Sequence, residues 1–197
     1  MLQTISKFNR LLLAASISLS ALTFNSPKVD AITSQNLNLT QLPASNIIAA
    51  APEWQEFSPD KGKFSILMPN EEIVDMAPEP GEMHEGVKST KMYLSVHEKN
   101  VFMVSYADFK SDVTQLPSSE LLDSAVEGML EDGKKLVSQK NITLGAYSGR
   151  EVQFWDETAG ITLTGRVFIV KQRMYMLLVG SDRNPQISNV SKFFGKI

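Results

Sequence analysis

The chain has 197 residues, a formal net charge of −3 and no cysteine. Its length fits one domain with one core, and the missing cysteine excludes disulfides and cysteine catalysis. Nucleic acid and anionic lipid are disfavoured as partners, because both need basic clusters that the sequence lacks.

Residues 1–31 have the pattern of an export signal. Lys7 and Arg10 precede an apolar stretch from Leu11 to Phe24, and the small residue Ala31 allows cleavage after it. The stretch has about fourteen residues, whereas a membrane-spanning helix needs roughly twenty. Removing this signal, whose net charge is +2, leaves 166 residues with a net charge of −5. We therefore expect an exported, freely soluble mature protein without a lipid anchor.

Residues 32–52 are predicted to be a flexible linker, because no apolar period of two or 3.6 persists among their polar side chains. The folded domain is expected to cover residues 53–197 and to begin near Trp54. Alternating apolar residues from Phe64 to Met68, after the turn Asp60-Lys61-Gly62, indicate its first clear strand.

A hairpin and a helix follow that strand. Alternation at residues 92–96 and again at 102–106 predicts two strands, joined by a tight turn at Lys99-Asn100. Ser118 is expected to cap a helix that Gly133 ends. The helix has apolar residues on one face, namely Leu121, Leu122, Ala125, Val126, Met129 and Leu130.

The remaining residues predict a three-stranded meander and a final helix. The strands cover Gly145–Trp155, Ile161–Val170 and Met174–Val179, with short polar connections at 156–160 and 171–173. Asn184-Pro185 opens the helix, whose buried stripe is expected to be Ile187, Val190 and Phe194. The middle strand is apolar on both faces, so helices should cover both sides of the sheet. The predicted fold class is α+β, with an antiparallel sheet sandwiched between helices.

One stretch of the chain is strongly acidic. Between residues 71 and 85 it has no basic residue and six acidic ones, which are Glu71, Glu72, Asp75, Glu79, Glu82 and Glu85. Three interpretations stay open: a solvated loop, a loop that docks on a partner through these six carboxylates, and a metal site built on Glu82, His84 and Glu85. The spacing does not match a calcium loop, and of the two functional interpretations docking is preferred.

Catalysis has little support in the sequence. His97 alternates with Tyr93 and Ser95 on a strand, where we expect a half-exposed position. Ser148 is one place late for a serine elbow, which requires Gly-x-Ser-x-Gly between a strand and a helix. Arg150-Glu151 and Arg166 are expected to form a structural cross-strand pair. The chain is therefore predicted to be no enzyme, and to have no cofactor.

Residues 53 to 197 resemble a PsbP-like domain, mainly in the order of their elements. The matching segments are Trp54-Gln55-Glu56-Phe57-Ser58-Pro59, Gly62-Lys63-Phe64-Ser65-Ile66-Leu67-Met68-Pro69, Gly145-Ala146-Tyr147-Ser148-Gly149-Arg150-Glu151, the Arg166 strand, Met174-Tyr175 and the terminal helix. The resemblance implies an α/β/α sandwich in the thylakoid lumen of a cyanobacterium. It also implies a role on the oxygen-evolving side of photosystem II or in photosystem assembly.

Two functions from different classes follow. The first is a non-enzymatic accessory protein of the thylakoid lumen or periplasm that docks on a larger membrane-associated assembly, for example photosystem II. The alternative is a periplasmic carrier of a small apolar ligand. A carrier needs an apolar cavity of roughly 300 Å³ or more with few polar groups, whereas a docking protein does not.

Overall fold

The computed structural model describes residues 53–76, 86–130, 134–181 and 187–195. The predicted signal and linker, residues 1–52, lie outside them. The elements, in chain order, are β1 Trp54–Phe57, β2 Ile66–Pro69, β3 Val74–Asp75, β4 Val87–His97, β5 Asn100–Phe109, α1 Ser118–Met129, β6 Lys134–Leu144, β7 Tyr147–Asp156, β8 Ile161–Val170, β9 Arg173–Ser181 and α2 Ile187–Gly195.

Seven strands form one antiparallel sheet in the order β3-β4-β5-β9-β8-β7-β6. Strands β1 and β2 pair with each other in a separate ribbon. The predicted hairpin is confirmed as β4–β5, but its turn residues are Glu98 and Lys99, both with positive φ (48° and 65°). Asn100 already pairs with His97 as the first residue of β5. Positive φ at two central residues matches the twist of the flanking strands.

Helix α1 covers one face of the sheet, as predicted. Leu121, Leu122, Val126 and Met129 are each at most 4% exposed and pack in one cluster with apolar residues of β5, β7, β8 and β9. Burial of each such side chain contributes about 1.5–3 kcal/mol. The predicted cap is wrong, since the helix begins at Ser118.

Pro117 holds the capping position, and no side-chain hydrogen bond caps the helix. Its carbonyl accepts hydrogen bonds from the amides of Glu120 and Leu121. Proline favours this start because its fixed φ needs no rearrangement. The helix ends at Met129, and the predicted end at Gly133 lies outside the described residues.

The ribbon β1–β2 and helix α2 cover the opposite face. Phe193 of α2 is fully buried against Phe102 of β5, with ring centroids 5.4 Å apart. Ile66 and Met68 of β2 are also fully buried in this second cluster. Alternate residues of β8 point into the two clusters, with Val167 in the first and Phe168 in the second. The predicted fold class, α+β with an antiparallel sheet sandwiched between helices, is confirmed, and the β1–β2 ribbon shares the second layer with α2.

Strand β6 is the main element that the sequence did not predict. It is an edge strand of eleven residues, most of them exposed, and an irregularity in its pairing with β7 lies between Leu136 and Ser138. Exposure on both faces removes the apolar alternation by which strands are recognised. No helix within the described ranges is long and apolar enough to cross a membrane.

Candidate apolar cleft

An apolar cleft of about 370 Å³ opens on the sheet face opposite α1. The loop between β1 and β2 forms one wall, the β6–β7 turn forms the other, and β5, β9 and β8 form the floor. The lining residues are Lys63, Phe64, Ile66, Val104, Leu144, Gly145, Tyr147, Phe168, Val170, Tyr175 and Leu177.

Strand alternation produces the floor. Phe168 and Val170 share one face of β8, and Tyr175 and Leu177 share the same face of β9, where Phe168 lies opposite Tyr175 in register. Val104 lies opposite Leu177 from the other side. Because residues two apart on a strand point the same way, these side chains form a continuous apolar surface.

Gly149 of β7 makes room for the floor. It pairs with Phe168, and a Cβ atom at this position would lie 2.5 Å from Cδ1 of that ring and 2.7 Å from the carbonyl oxygen of Val167. Real Cβ atoms do not approach so closely, so only glycine lets the Phe168 ring lie against β7. The glycine therefore positions an aromatic ring of the cleft.

Arg173 attaches the ribbon wall to the sheet. Its Nε and Nη2 donate to the two carboxylate oxygens of Asp108, at 2.6 and 2.8 Å. Its Nη1 donates to the carbonyl oxygens of Lys61 and Gly62, at 2.8 and 2.7 Å. The guanidinium also stacks on the Tyr106 ring, 4.3 Å from its centroid. This arginine uses the bidentate geometry and the planar stacking that lysine cannot reproduce.

Arg173 and Asp108 form an ionised, hydrogen-bonded pair. Hydrogen bonds from Arg173, and a further one of 2.9 Å from the Ser89 hydroxyl, hold the pKa of Asp108 below its usual value. The same carboxylate raises the pKa of Arg173, chiefly through its hydrogen bonds. Tyr175 adds a further hydrogen bond to the loop, from its hydroxyl to the Gly62 carbonyl, at 3.0 Å. We call these residues, Arg173, Asp108, Ser89 and Tyr175, the clasp.

Two polar side chains line the mouth of the cleft without an internal partner. Lys63 is exposed and has a left-handed backbone, with φ of 57°. Tyr147 is 36% exposed. Within the described part of the chain, neither side chain has a hydrogen bond or an ion pair. The cleft thus combines an apolar interior with a cation and a phenol at its rim.

Outside this cleft, the predicted cross-strand pair is confirmed for Glu151 and Arg166, whereas Arg150 forms its ion pair with Asp123 of α1, at 2.8 Å. Glu151 and Arg166 lie opposite in register, with Oε2 and Nε 2.7 Å apart. Burial opposes ionisation of Glu151, but hydrogen bonds from Lys140 and Arg166 lower its pKa. Nη1 of Arg166 also donates to the Phe194 carbonyl at 3.0 Å, which ties α2 to the sheet. The role of this pair is structural, as expected.

The acidic stretch is placed only in part. Glu71 and Glu72 are exposed, whereas Glu79, Glu82, His84 and Glu85 lie outside the described residues. The candidate docking residues and the candidate metal site therefore stay predictions.

Asp75 corrects the interpretation of the whole stretch as a loop. It belongs to β3, which pairs with β4 at the sheet edge, and it forms an ion pair of 2.9 Å with Lys91. Its carboxylate is thus already engaged within the domain.

His97 is more buried than the sequence suggested. Its side chain is 14% exposed, and its Nδ1 lies 3.5 Å from Glu71 Oε1. The Trp54 ring meets it edge-on at 6.1 Å. The ribbon covers this face of the sheet, which the strand alternation alone could not reveal. Ser148 is exposed on β7, outside any strand-to-helix turn.

The sequence did not single out the residues that build the clasp and the rim. The sequence predicts Arg173 in a connection, whereas it is the first residue of β9. The turn consists of Lys171, with φ of 56°, and Gln172. One signal was present in the sequence. Arg173, Tyr175 and Leu177 are two residues apart and therefore share one face of the strand. A charged residue on an apolar face indicates that it is buried with a partner.

Comparisons with known proteins show likenesses of fold. No protein-family model and no curated protein matches the chain. The solution structure of cyanobacterial PsbP (CyanoP) from Synechocystis is similar, with a TM-score of 0.48, 11% identity, and coverage of 75% of this chain and 91% of that one. A Pseudomonas aeruginosa protein of unknown function, PA94, is also similar, with a TM-score of 0.39, 9% identity, and coverage of 67% and 85%. Neither likeness establishes a family.

Proposed function

We propose that this chain is a non-enzymatic binding protein that takes a small apolar ligand into the cleft. The volume of about 370 Å³ carries the proposal, since it lies within the range of 300–1,000 Å³ that is typical of small-molecule sites. The lining is almost entirely aliphatic and aromatic, with polar groups confined to the rim. Apolar ligands gain affinity by leaving water for such a surface.

The fixed wall supports the same function. A ligand cleft must keep its shape when empty, because ordering the protein on binding costs affinity. Arg173 holds the β1–β2 loop to the sheet, because two of its hydrogen bonds go to loop carbonyls and two go to Asp108 of β5. We further propose that the protein acts outside the cytoplasm, as the signal pattern of residues 1–31 indicates.

A fluorescence titration tests ligand binding directly. N-phenyl-1-naphthylamine is a neutral aromatic probe whose emission rises in apolar surroundings. We expect saturable binding, and Leu144→Gln should weaken it by about fivefold or more, because a polar group then enters the cleft wall. Thr143→Gln is the matched control, since Thr143 is the exposed neighbour on β6 and does not line the cleft. Absence of saturable binding, or equal loss in both variants, would refute the proposal.

The accessory protein remains a second candidate, in which the domain docks on photosystem II in the thylakoid lumen. The resemblance of residues 53–197 to PsbP-like domains motivates it, and the exposure of Glu71 and Glu72 at the start of the acidic stretch supports it. Exposed carboxylates attract a basic partner and act mainly on association.

Co-purification with native membranes tests docking. The variant Glu71→Gln/Glu72→Gln should lower the recovery of photosystem II subunits at low salt, where exposed charges act most strongly. The control Glu120→Gln/Glu127→Gln makes the same charge change on the exposed side of α1. Equal recovery with both variants would reject docking through these glutamates.

A further inference from the structure

The rim of the cleft carries a positive charge, on Lys63, which binding of a purely apolar ligand would not use. Lys63 is exposed, lines the cleft, and forms no ion pair with any residue that the structure describes. Asp108 and Arg173, the charged residues of the clasp, neutralise each other.

The backbone at Lys63 has an uncommon conformation. Its φ of 57° is in the left-handed region, where residues other than glycine, asparagine and aspartate are uncommon. Such conformations concentrate at binding sites, where the surrounding structure holds them. Here the neighbouring carbonyls of Lys61 and Gly62 are held by Arg173, so the loop conformation is fixed from the sheet side.

The aromatic lining of the cleft favours a ligand that contains a ring. Phe64, Tyr147, Phe168 and Tyr175 all line the cleft, and aromatic side chains favour stacked or edge-on contact with a flat partner. Tyr147 adds a hydroxyl at the mouth that is not engaged by a described residue. The Lys63 ammonium can donate a hydrogen bond to an anionic oxygen, and hydrogen bonds between charged groups are stronger than neutral ones.

We infer that the ligand is an amphipathic organic anion, with an aromatic or cyclic apolar body in the cleft and one acidic group at Lys63. This inference rests on the proposed function, because it requires that the cleft binds ligands. It adds the chemical class. The protein as a whole is acidic, with a net charge of −3, so recognition of an anion depends on this local cation and not on the long-range field.

Two probes with the same aromatic body separate the charge from the apolar contact. 1-Anilinonaphthalene-8-sulfonate is N-phenyl-1-naphthylamine with one added sulfonate. Both are titrated against the full chain, Lys63→Gln, and the control Lys61→Gln, which removes an exposed lysine of the same loop that does not line the cleft. We expect Lys63→Gln to weaken sulfonate binding by roughly three- to tenfold and to leave neutral binding within about twofold.

Added salt should reduce this difference, because the interaction lies at the surface. An unchanged ratio of the two affinities in Lys63→Gln would overturn the anion assignment while neutral binding still supports the cleft. If Leu144→Gln loses binding of both probes and the control Thr143→Gln keeps it, the probes bind in the cleft. If neither probe binds, the proposed function fails first. If removal of residues 32–52 strengthens both equally, the linker is the occupant and the assignment is also overturned.

Discussion

The guanidinium of Arg173 and the carboxylate of Asp108, 65 residues apart in the sequence, meet in two parallel hydrogen bonds of 2.6 and 2.8 Å. The two residues lie opposite each other in the β5–β9 register. The same guanidinium holds two carbonyls of the β1–β2 loop. One side chain therefore joins the central strands of the sheet to the wall of the cleft.

Removing the arginine should destabilise the domain and open the cleft. Arg173→Met leaves Asp108 without its charged partner and frees the loop, and we expect a loss of about 2–4 kcal/mol in the free energy of unfolding. Urea denaturation measures it. Lys91→Met, which breaks a more exposed pair with Asp75, should cost much less, because exposed ion pairs contribute little. Equal losses of unfolding free energy in the two variants would show that the Arg173–Asp108 pair stabilises the domain no more than an exposed ion pair does.

Acid should reduce the contribution of Asp108 to the free energy of unfolding. The pKa of Asp108 is lower in the folded protein than its ordinary value of 3.8, so the unfolded chain binds its proton first as the pH falls. Its contribution to stability is complete above about pH 4 and is lost as the pH drops through the folded pKa. The difference in unfolding free energy between the wild type and Asp108→Asn should therefore shrink below about pH 4. A difference that is constant from neutral pH to pH 2 would contradict this.

The floor of the cleft should be sensitive to one methyl group. Gly149→Ala places a Cβ against the Phe168 ring and the Val167 carbonyl, and overpacking of this kind costs about 1–3 kcal/mol. Probe affinity should fall as well, because the ring must move. Gly195→Ala is the control, since a Cβ there meets nothing within 4 Å. Scanning calorimetry of both variants measures the effect, and an unchanged midpoint for Gly149→Ala would show that the ring adapts freely.

Helix α1 provides a prediction about the core. Val126 is 4% exposed in the cluster beneath the helix, so Val126→Asp buries an unpaired carboxylate at a cost of several kcal/mol. Folding should be lost, as circular dichroism would record. Glu127→Asp introduces the same residue on the exposed side and should keep the fold. A Val126→Asp variant with an unchanged midpoint would mean that this face is open.

The layers of the fold could be predicted because burial leaves a period in the sequence. Val167 and Phe168 point to opposite clusters, and alternation along their strand already indicated a sheet covered on both sides. The spacing of Leu122, Val126 and Met129 likewise gave the buried face of α1. Strand β6 was missed because an exposed edge has no apolar period to detect.

The cleft could not be predicted, because residues far apart in the chain create it. Arg173 meets Gly62 across 111 positions, and no local pattern announces such a contact. Gly149 was visible as a glycine in a strand, but its reason, the Phe168 ring, lies on the neighbouring strand. Local sequence determines which face a residue takes, whereas the shape between two walls depends on tertiary packing.

The most direct test of the cleft as a binding site is an amide chemical-shift titration with N-phenyl-1-naphthylamine. We predict that the shifts cluster on residues that line the cleft, in particular Val104, Leu144, Val170 and Leu177. Val126 and Met129, on the opposite face under α1, should stay unchanged. Shifts that concentrate beneath α1 or along the β6 edge, or no saturable shifts at all, would contradict the account.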